Sequence, residues 1–231
     1  MSDIPVIAVD GPSGTGKGTI CSHLARWLGW HLLDSGALYR ILAIAAEKYK
    51  LQLDNESAIA DIAESLDIVF QQPQPGKDIT VIFEGDDITQ KIRTEACANS
   101  ASQIAVLPQV RSALLDRQRK FQQSPGLVAD GRDMGTVVFS HAPLKIYLIA
   151  SAEERAKRRY KQLKQKGFNV NLPRLAADIA ERDTRDSQRT VSPLKPADDA
   201  IVVDTTIMEI SEVIKKIETL VQETLPDACS T

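Results

Sequence analysis

The residues with the clearest chemistry lie between Gly11 and Thr19, in the run Asp-Gly-Pro-Ser-Gly-Thr-Gly-Lys-Gly-Thr (10–19). Gly11, Gly14 and Gly16 open backbone conformations that a Cβ disfavours, so several N–H groups can converge on one anion. Lys17 adds a mobile point charge able to reach β- and γ-phosphates. A helix starting there adds unpaired N–H donors and the positive end of its dipole. The pattern G-x-x-x-x-G-K-[ST] is met at Gly11, Gly16 and Lys17. Its hydroxyl position holds Gly18, and the hydroxyl comes one residue later, at Thr19. Gly11, Pro12, Ser13, Gly14, Thr15, Gly16, Lys17, Gly18 and Thr19 are therefore the expected triphosphate site. Which group would meet Mg²⁺ stays open.

A second candidate cluster follows the apolar run Gly126-Leu-Val-Ala, which ends in Asp130 and continues Gly131-Arg132-Asp133. An apolar strand ending in an acid is what positions Mg²⁺ or its water in phosphate-loop enzymes. In an open parallel sheet, ligands sit beyond the carboxyl ends of the strands, which brings Asp130, Arg132 and Asp133 near residues 11 to 19. Ser35, Tyr39 and Arg40 put two hydroxyls and a guanidinium at the start of another helix, a set able to hold a second anion. Leu172, Leu175, Ala176 and Ile179 form an apolar helical stripe. The same spacing continues it to Arg182, Arg185, Asp186 and Arg189. Charge on an inward face is costly unless paired or used, so this half-helix points to an anion-binding cleft. The bland reading is that the helix leaves the core there.

The elements that must position these groups alternate between strand and helix. Ile4 to Val9 reads as a buried parallel strand, and Ile20, Leu24 and Trp27 as the core stripe of the helix that Gly29 stops. Leu38 to Lys50 reads as helical. Leu66 to Phe70 and Ile79 to Phe83 read as a small antiparallel insert joined by a turn at Gln71 to Gly76, with Ile79, Val81 and Phe83 on one face. Thr94 to Ser102 and Val110 to Phe121 read as helices split by Pro108, and Lys145 to Ala150 as a strand. Ser151-Ala-Glu-Glu154 reads as a capping box opening a basic helix closed by Gly167, either a solvated face or a lid over polyphosphate. Ala200 to Val203 reads as a last strand before a packed helix, and Pro226 to Thr231 as a disordered tail. The expected fold is α/β: a doubly wound, parallel five-stranded sheet with helices on both faces, a small antiparallel β insert and a helical lid.

The 231 residues suit one large domain with inserts, and the net charge of −3 gives no basic excess for bulk nucleic-acid binding. No apolar run approaches a membrane span, and the N-terminus lacks a signal-peptide pattern. Cys21, Cys97 and Cys229 are scattered, which suggests reduced thiols in a cytoplasmic protein. The cations Arg40, Arg111, Arg132, Arg158, Arg182, Arg185 and Arg189 are too many for one triphosphate. Phosphoryl transfer to a second phosphate explains the surplus, because donor and acceptor are both anions.

With these residues in hand, the chain resembles the nucleoside monophosphate kinases, and among them the bacterial cytidylate kinases. The resemblance rests on residues 10–19, Leu-Leu-Asp-Ser-Gly-Ala-Leu-Tyr-Arg (32–40), Ile-Arg-Thr (92–94), Ala-Asp-Gly-Arg-Asp-Met-Gly-Thr-Val-Val-Phe (129–139) and Glu-Arg-Asp-Thr-Arg-Asp-Ser-Gln-Arg (181–189). It implies transfer of a phosphoryl group from ATP to CMP or dCMP with Mg²⁺. It implies one kinase domain over 1–231: a core of about 1–34, 103–150 and 191–225, a monophosphate-binding region of about 35–102 with its insert at about 66–90, and a lid of about 151–190. By the same resemblance, Ser35, Arg40 and Arg132 hold the CMP phosphate, with Tyr39 also on the CMP side. Ser102, Arg111, Asp133 and Arg189 read cytosine, Arg182 and Asp186 contact the sugar, and Arg158 and Arg185 close on the phosphates. Lys17, Arg132, Arg158 and Arg185 are the implied catalytic groups, with Thr19 and Asp130 the candidates for Mg²⁺, directly or through water. Partners are small nucleotides, with no nucleic acid or membrane, and the chain is expected to be a monomer. A shikimate- or gluconate-type kinase and a non-catalytic nucleotide-sensing module are the rival readings; a GTPase would need an Asn-Lys-x-Asp string, which does not occur.

Overall fold

The computed structural model describes residues 4–71 and 80–229. Of the turn expected at Gln71 to Gly76, Gln71 belongs to a strand and the rest lies outside the described residues, as does Ile79. In chain order the elements are β1 (Val6–Asp10), α1 (Lys17–Leu28), β2 (His31–Asp34), α2 (Ser35–Lys48), α3 (Glu56–Ser65), β3 (Ile68–Gln71), β4 (Thr80–Phe83), β5 (Asp86–Asp87), α4 (Glu95–Ile104), α5 (Pro108–Arg119), β6 (Leu127–Gly131), β7 (Leu144–Ile149), α6 (Ala152–Gln165), α7 (Leu172–Gln188), β8 (Ile201–Asp204) and α8 (Ile210–Thr224). A π-helical turn occupies Met134–Val138. The chain forms two compact units: one holds the chain up to Ser35 and from Gln118 onward, the other Gly36–Arg117.

The first unit is built on a five-stranded, all-parallel sheet in the order β2-β6-β1-β7-β8. Every residue of β1 and β6 is buried. Successive side chains point to opposite faces, so continuous burial means the sheet is covered on both sides, as its apolar runs require. On one face Ile7, Val9, Val128, Ile146 and Leu148 pack with Ile20, Cys21 and Leu24 of α1 and with Val213, Ile217 and Val221 of α8. Register pairs Val9 and Asp34 with Asp130, and Asp10 with Gly131. The acids at the carboxyl ends of β1, β2 and β6, Asp10, Asp34 and Asp130, therefore emerge at one end of the parallel strands.

Two expectations are corrected here. Trp27 is 37% exposed. The buried stripe of α1 is centred on Ile20, Cys21, Leu24 and Ala25, which turns position 27 outward, while Trp30 takes the buried place and lies against Gly126. The tail is not disordered as far as Cys229: Pro226–Cys229 forms a 3-10 helix because Leu225 and Ala228 find apolar contacts on the main core.

α6 and α7 pack on each other through Ala156, Leu163, Leu175 and Ile179. Ser151 caps α6 by accepting from the Glu154 N–H at 3.2 Å, and Asn171 caps α7 by accepting from Arg174 N–H at 3.0 Å.

In the second unit, Ile41, Leu42 and Ala45 of α2, Ile59 of α3, Ile104 of α4 and Leu114 of α5 are fully buried. Thr94 caps α4, and α5 starts on Pro108, a residue suited to a first helical turn. The β insert is an antiparallel sheet in the order β3-β4-β5. Alternation along β4 buries Val81 and Phe83 and leaves Thr80 and Ile82 half-buried.

Candidate active site

β1 ends at Asp10 and α1 begins at Lys17, so the glycine-rich run is the turn between them. Gly11, Gly14 and Gly16 have φ of 142°, 83° and 96°. A Cβ on Gly11 would lie 2.2 Å from the Leu148 carbonyl oxygen, and one on Gly14 2.9 Å from the Cβ and carbonyl oxygen of Arg155. Glycine is a steric necessity at both positions. Lys17 is buried and folds back across the turn to donate to the Pro12 carbonyl at 2.8 Å. Burial lowers its pKa, and the positive charge of Arg132 adds to the effect. The Ser13 hydroxyl is buried with no hydrogen-bond partner, an unused group inside the cradle that an anion would satisfy.

Two carboxylates line this end of the sheet. Asp10 accepts the N–H groups of Met134 and Gly135, each at 2.8 Å, and so anchors the π-helical turn. Burial nevertheless raises its pKa to about 6. Burial also pushes Asp130 up, against the opposing pull of Lys17. A Cβ on Gly18 would lie 3.6 Å from Asp130 Oδ2, so the residue after the lysine faces this carboxylate, whereas Thr19 is exposed.

Of the four charged positions that the spacing turns inward, Arg182, Asp186 and Arg189 are each 7% exposed, while Arg185 is half-buried. Asp186 holds Arg132 Nε at 3.0 Å, and Asp133, at the head of the π-helical turn, is buried. Arg132 also acts electrostatically on Lys17, so the strand end and the loop cation share one electrostatic site. Ser35, the first residue of α2, is buried and donates its hydroxyl hydrogen to Gln118 Oε1 at 2.7 Å. Two expected phosphate contacts point elsewhere in this state. Arg158 donates to the Thr205 hydroxyl at 3.0 Å and the Thr205 carbonyl at 2.6 Å and pairs with Glu154, while Arg185 pairs with Glu181 of its own helix at 3.3 Å.

Within the second unit, Arg111 is buried over the Tyr39 ring, 5.8 Å from its centroid, and donates to the Ala105 carbonyl at 3.1 Å. Its cation is held by an aromatic face and a carbonyl. Ser102 Oγ is buried without a hydrogen-bond partner. Arg40 is half-buried, and its carbonyl accepts from Cys97 Sγ at 3.4 Å.

Sequence reasoning misses three contributors. It sees Asp10 only as the end of a strand, Gln118 not at all, and Arg155 as one cation in a basic run. Arg155 is 5% exposed and binds Asp183 and two main-chain carbonyls. Its position beside Ala156, on the stripe that reaches Leu163, is the one sequence signal that marks it.

A parallel α/β sheet whose first strand runs into a glycine-rich anion cradle with a buried lysine, faced by an arginine-bearing helix, defines a phosphate-loop protein of the phosphotransferase kind. A family model for cytidylate kinase matches residues 7–223. Cytidylate kinase of Shewanella frigidimarina is 60% identical over 213 residues, covering 92% of this chain and 93% of its own. That of Shewanella denitrificans is 59% identical over 213 residues, covering 92% and 94%. That of Aeromonas hydrophila is 56% identical over 223 residues, covering 96% of each. The chain belongs to the cytidylate kinase family.

Proposed function

We propose that the protein transfers the γ-phosphoryl group of ATP to CMP or dCMP, giving ADP and CDP or dCDP. One observation carries this reading: a buried row of Arg182, Asp186 and Arg189, with Arg132 tied to it, shares an electrostatic site with the cradle lysine. One triphosphate does not need that many cations, but two phosphate groups brought together do.

In this reading, Gly11 to Thr19 hold the ATP phosphates through backbone N–H groups. Lys17 exchanges its Pro12 carbonyl for the β- and γ-phosphates, where its charge offsets what develops during transfer. Ser35, Tyr39, Arg40 and Arg132 serve the CMP phosphate. Ser102, Arg111, Asp133 and Arg189 read cytosine: a hydroxyl or carboxylate accepts from the amino group, and an arginine donates to N3 and O2. Arg182 and Asp186 contact the sugar. Arg158 and Arg185 leave Thr205 and Glu181 to close on the phosphates, as parts of a lid of about 151–190. No side chain has to act as nucleophile, because the acceptor phosphate is already ionised.

Among the described residues there is no group of three or more His, Cys, Asp or Glu able to hold a metal. Asp130 offers the hard carboxylate oxygen that Mg²⁺ takes alongside phosphate oxygens and water. Asp130 and Thr19 are the residues that would hold it, directly or through water, and it would neutralise the β- and γ-oxygens. No helix among the described residues is long and apolar enough to cross a membrane. We assign the enzyme to the cytoplasm as a monomer acting on small nucleotides.

The test is ADP release in a coupled assay with CMP, dCMP, UMP and shikimate as acceptors. CMP and dCMP should drive rapid release. Release that ignores the acceptor, or that needs shikimate, overturns the reading.

A further inference from the structure

Arg155, in the first turn of α6, is among the most buried cations of the molecule at 5% exposed. All of its guanidinium nitrogens are engaged. Nε donates to the Ala150 carbonyl at 3.1 Å and Nη1 to the Ser13 carbonyl at 3.0 Å, while Nη1 and Nη2 grip the Asp183 carboxylate at 3.2 and 2.5 Å. Ser13 lies at the tip of the phosphate cradle. The next residue, Gly14, rests so closely on Arg155 that a Cβ would meet its backbone oxygen at 2.9 Å. The cradle tip is therefore fitted to this arginine by hydrogen bonding and by steric contact.

Asp183 belongs to α7. One turn further along the same helix, Asp186 holds Arg132. Two acids on successive turns thus tie α7 to two different places: the phosphate cradle, through Arg155, and the end of β6, through Arg132. A bidentate pair built on a buried guanidinium does not slide continuously. It is either made or broken, because losing one partner strands a buried charge. A displacement of the cradle tip is handed to the helix that carries Arg182, Arg185 and Arg189.

We propose that Arg155 and Asp183 are positioning residues that couple the two nucleotide subsites, so that filling the phosphate cradle sets the placement of α7 for the acceptor and filling the acceptor side tightens the cradle. This rests on the reading of α7 as the acceptor's helix. Thermodynamic linkage requires the effect to be equal in both directions.

The test is calorimetric titration of the full chain with CMP, with and without saturating Mg²⁺ and the non-hydrolysable ATP analogue AMP-PNP, and the reverse titration. In the wild type, each nucleotide should tighten the other by about fivefold or more. In Asp183→Asn and in Arg155→Lys, which keeps the charge but loses the fork, that factor should fall close to one. The double variant should lose no further coupling. Asp183→Glu, which keeps the pair on a longer arm, should recover part of the factor, and if melting shows Asp183→Asn unfolded, Arg155→Lys alone carries the test. Coupling retained in both variants overturns the proposal. So does an uncoupled wild type, or weaker binding of both nucleotides with an unchanged factor. Wild-type turnover of CMP keeps the two failures distinguishable: turnover without coupling defeats only this proposal, and no turnover defeats the function on which it rests.

Discussion

The phosphate cradle and helix α7 bury cations in opposite ways. In the cradle, Lys17 is held by a single main-chain carbonyl, and burial lowers its pKa. Beside α7, Asp183 grips Arg155 and Asp186 grips Arg132, while Arg182 and Arg189 of the α7 segment donate to main-chain carbonyls. Burial works against the charge of Arg132, but Asp186 and Asp130 outweigh it and hold the guanidinium above its ordinary range. The cradle presents backbone dipoles, and in the proposed reaction its lysine exchanges the Pro12 carbonyl for phosphate. The acids of α7 hold Arg155 and Arg132 in charge-assisted pairs, which are stronger and directional. In the proposed reaction the lysine has to move, whereas Arg132 is already aimed by Asp186.

The largest break in that contrast is Lys17→Ala. kcat should fall by about three orders of magnitude or more with the fold retained, the scale expected when a preorganised charge at a transferring phosphoryl group is removed. A nearly normal kcat with a native melting curve would take Lys17 out of the transition state. Arg132→Ala comes next. It should lower kcat/KM for CMP by about a hundredfold while leaving KM for ATP nearly unchanged. Equal losses for both substrates would erase the distinction between a mobile lysine and an aimed arginine.

Asp10 tests the backbone side of the comparison. Its carboxylate titrates near 6 in the fold against an ordinary value of 3.8. Between those values the native state binds more protons than the unfolded chain, so this group makes stability fall as pH rises. Asn carries no such proton. The stability of Asp10→Asn relative to the wild type should therefore improve between about pH 4 and pH 7, by on the order of 2 kcal/mol. Denaturant melts at both pH values check this, and a pH-independent difference would show that Asp10 does not titrate in that window.

Asp133→Ala should cost about tenfold in the preference for CMP over UMP, more than it costs in turnover, because the two bases present opposite hydrogen-bonding groups to it. Identical losses with both acceptors would refute that. The smallest effect belongs to the second unit, where Glu84 pairs with Lys48 at 2.7 Å and also bonds Tyr49, all in solvent. Glu84→Gln should leave both Tm and activity unchanged; a clear drop in either would mean that exposed pairs matter here as much as buried ones.

Much of this contrast is local in the chain and therefore legible from it. The glycines at 11, 14 and 16 stand where positive φ is needed, and of the predicted stripe Leu175, Ile179, Arg182, Asp186 and Arg189 are buried, with Leu172, Ala176 and Arg185 half-buried. Arg155 shows the limit. Six other basic residues share its segment, and its neighbour Ala156 is a weak hint that this one turns inward. Its partners, Ser13 and Asp183, are 142 and 28 residues away. Trp27 shows the same limit in reverse: helical spacing allowed it on the buried face, and the direction of the neighbouring apolar residues turned it out.

The order of residues by itself determined the strand–cradle–helix opening, the acids at the strand ends and the alternation that demands a parallel sheet, because each depends on backbone conformation or on a period of a few residues. Only the tertiary structure decided which charged side chain meets which. It set Asp10 against the amides of Met134 and Gly135, Ser35 against Gln118, and Arg155 between Ser13 and Asp183. Those partners converge from distant parts of the chain, and desolvation makes each pairing count only once the fold has removed the water.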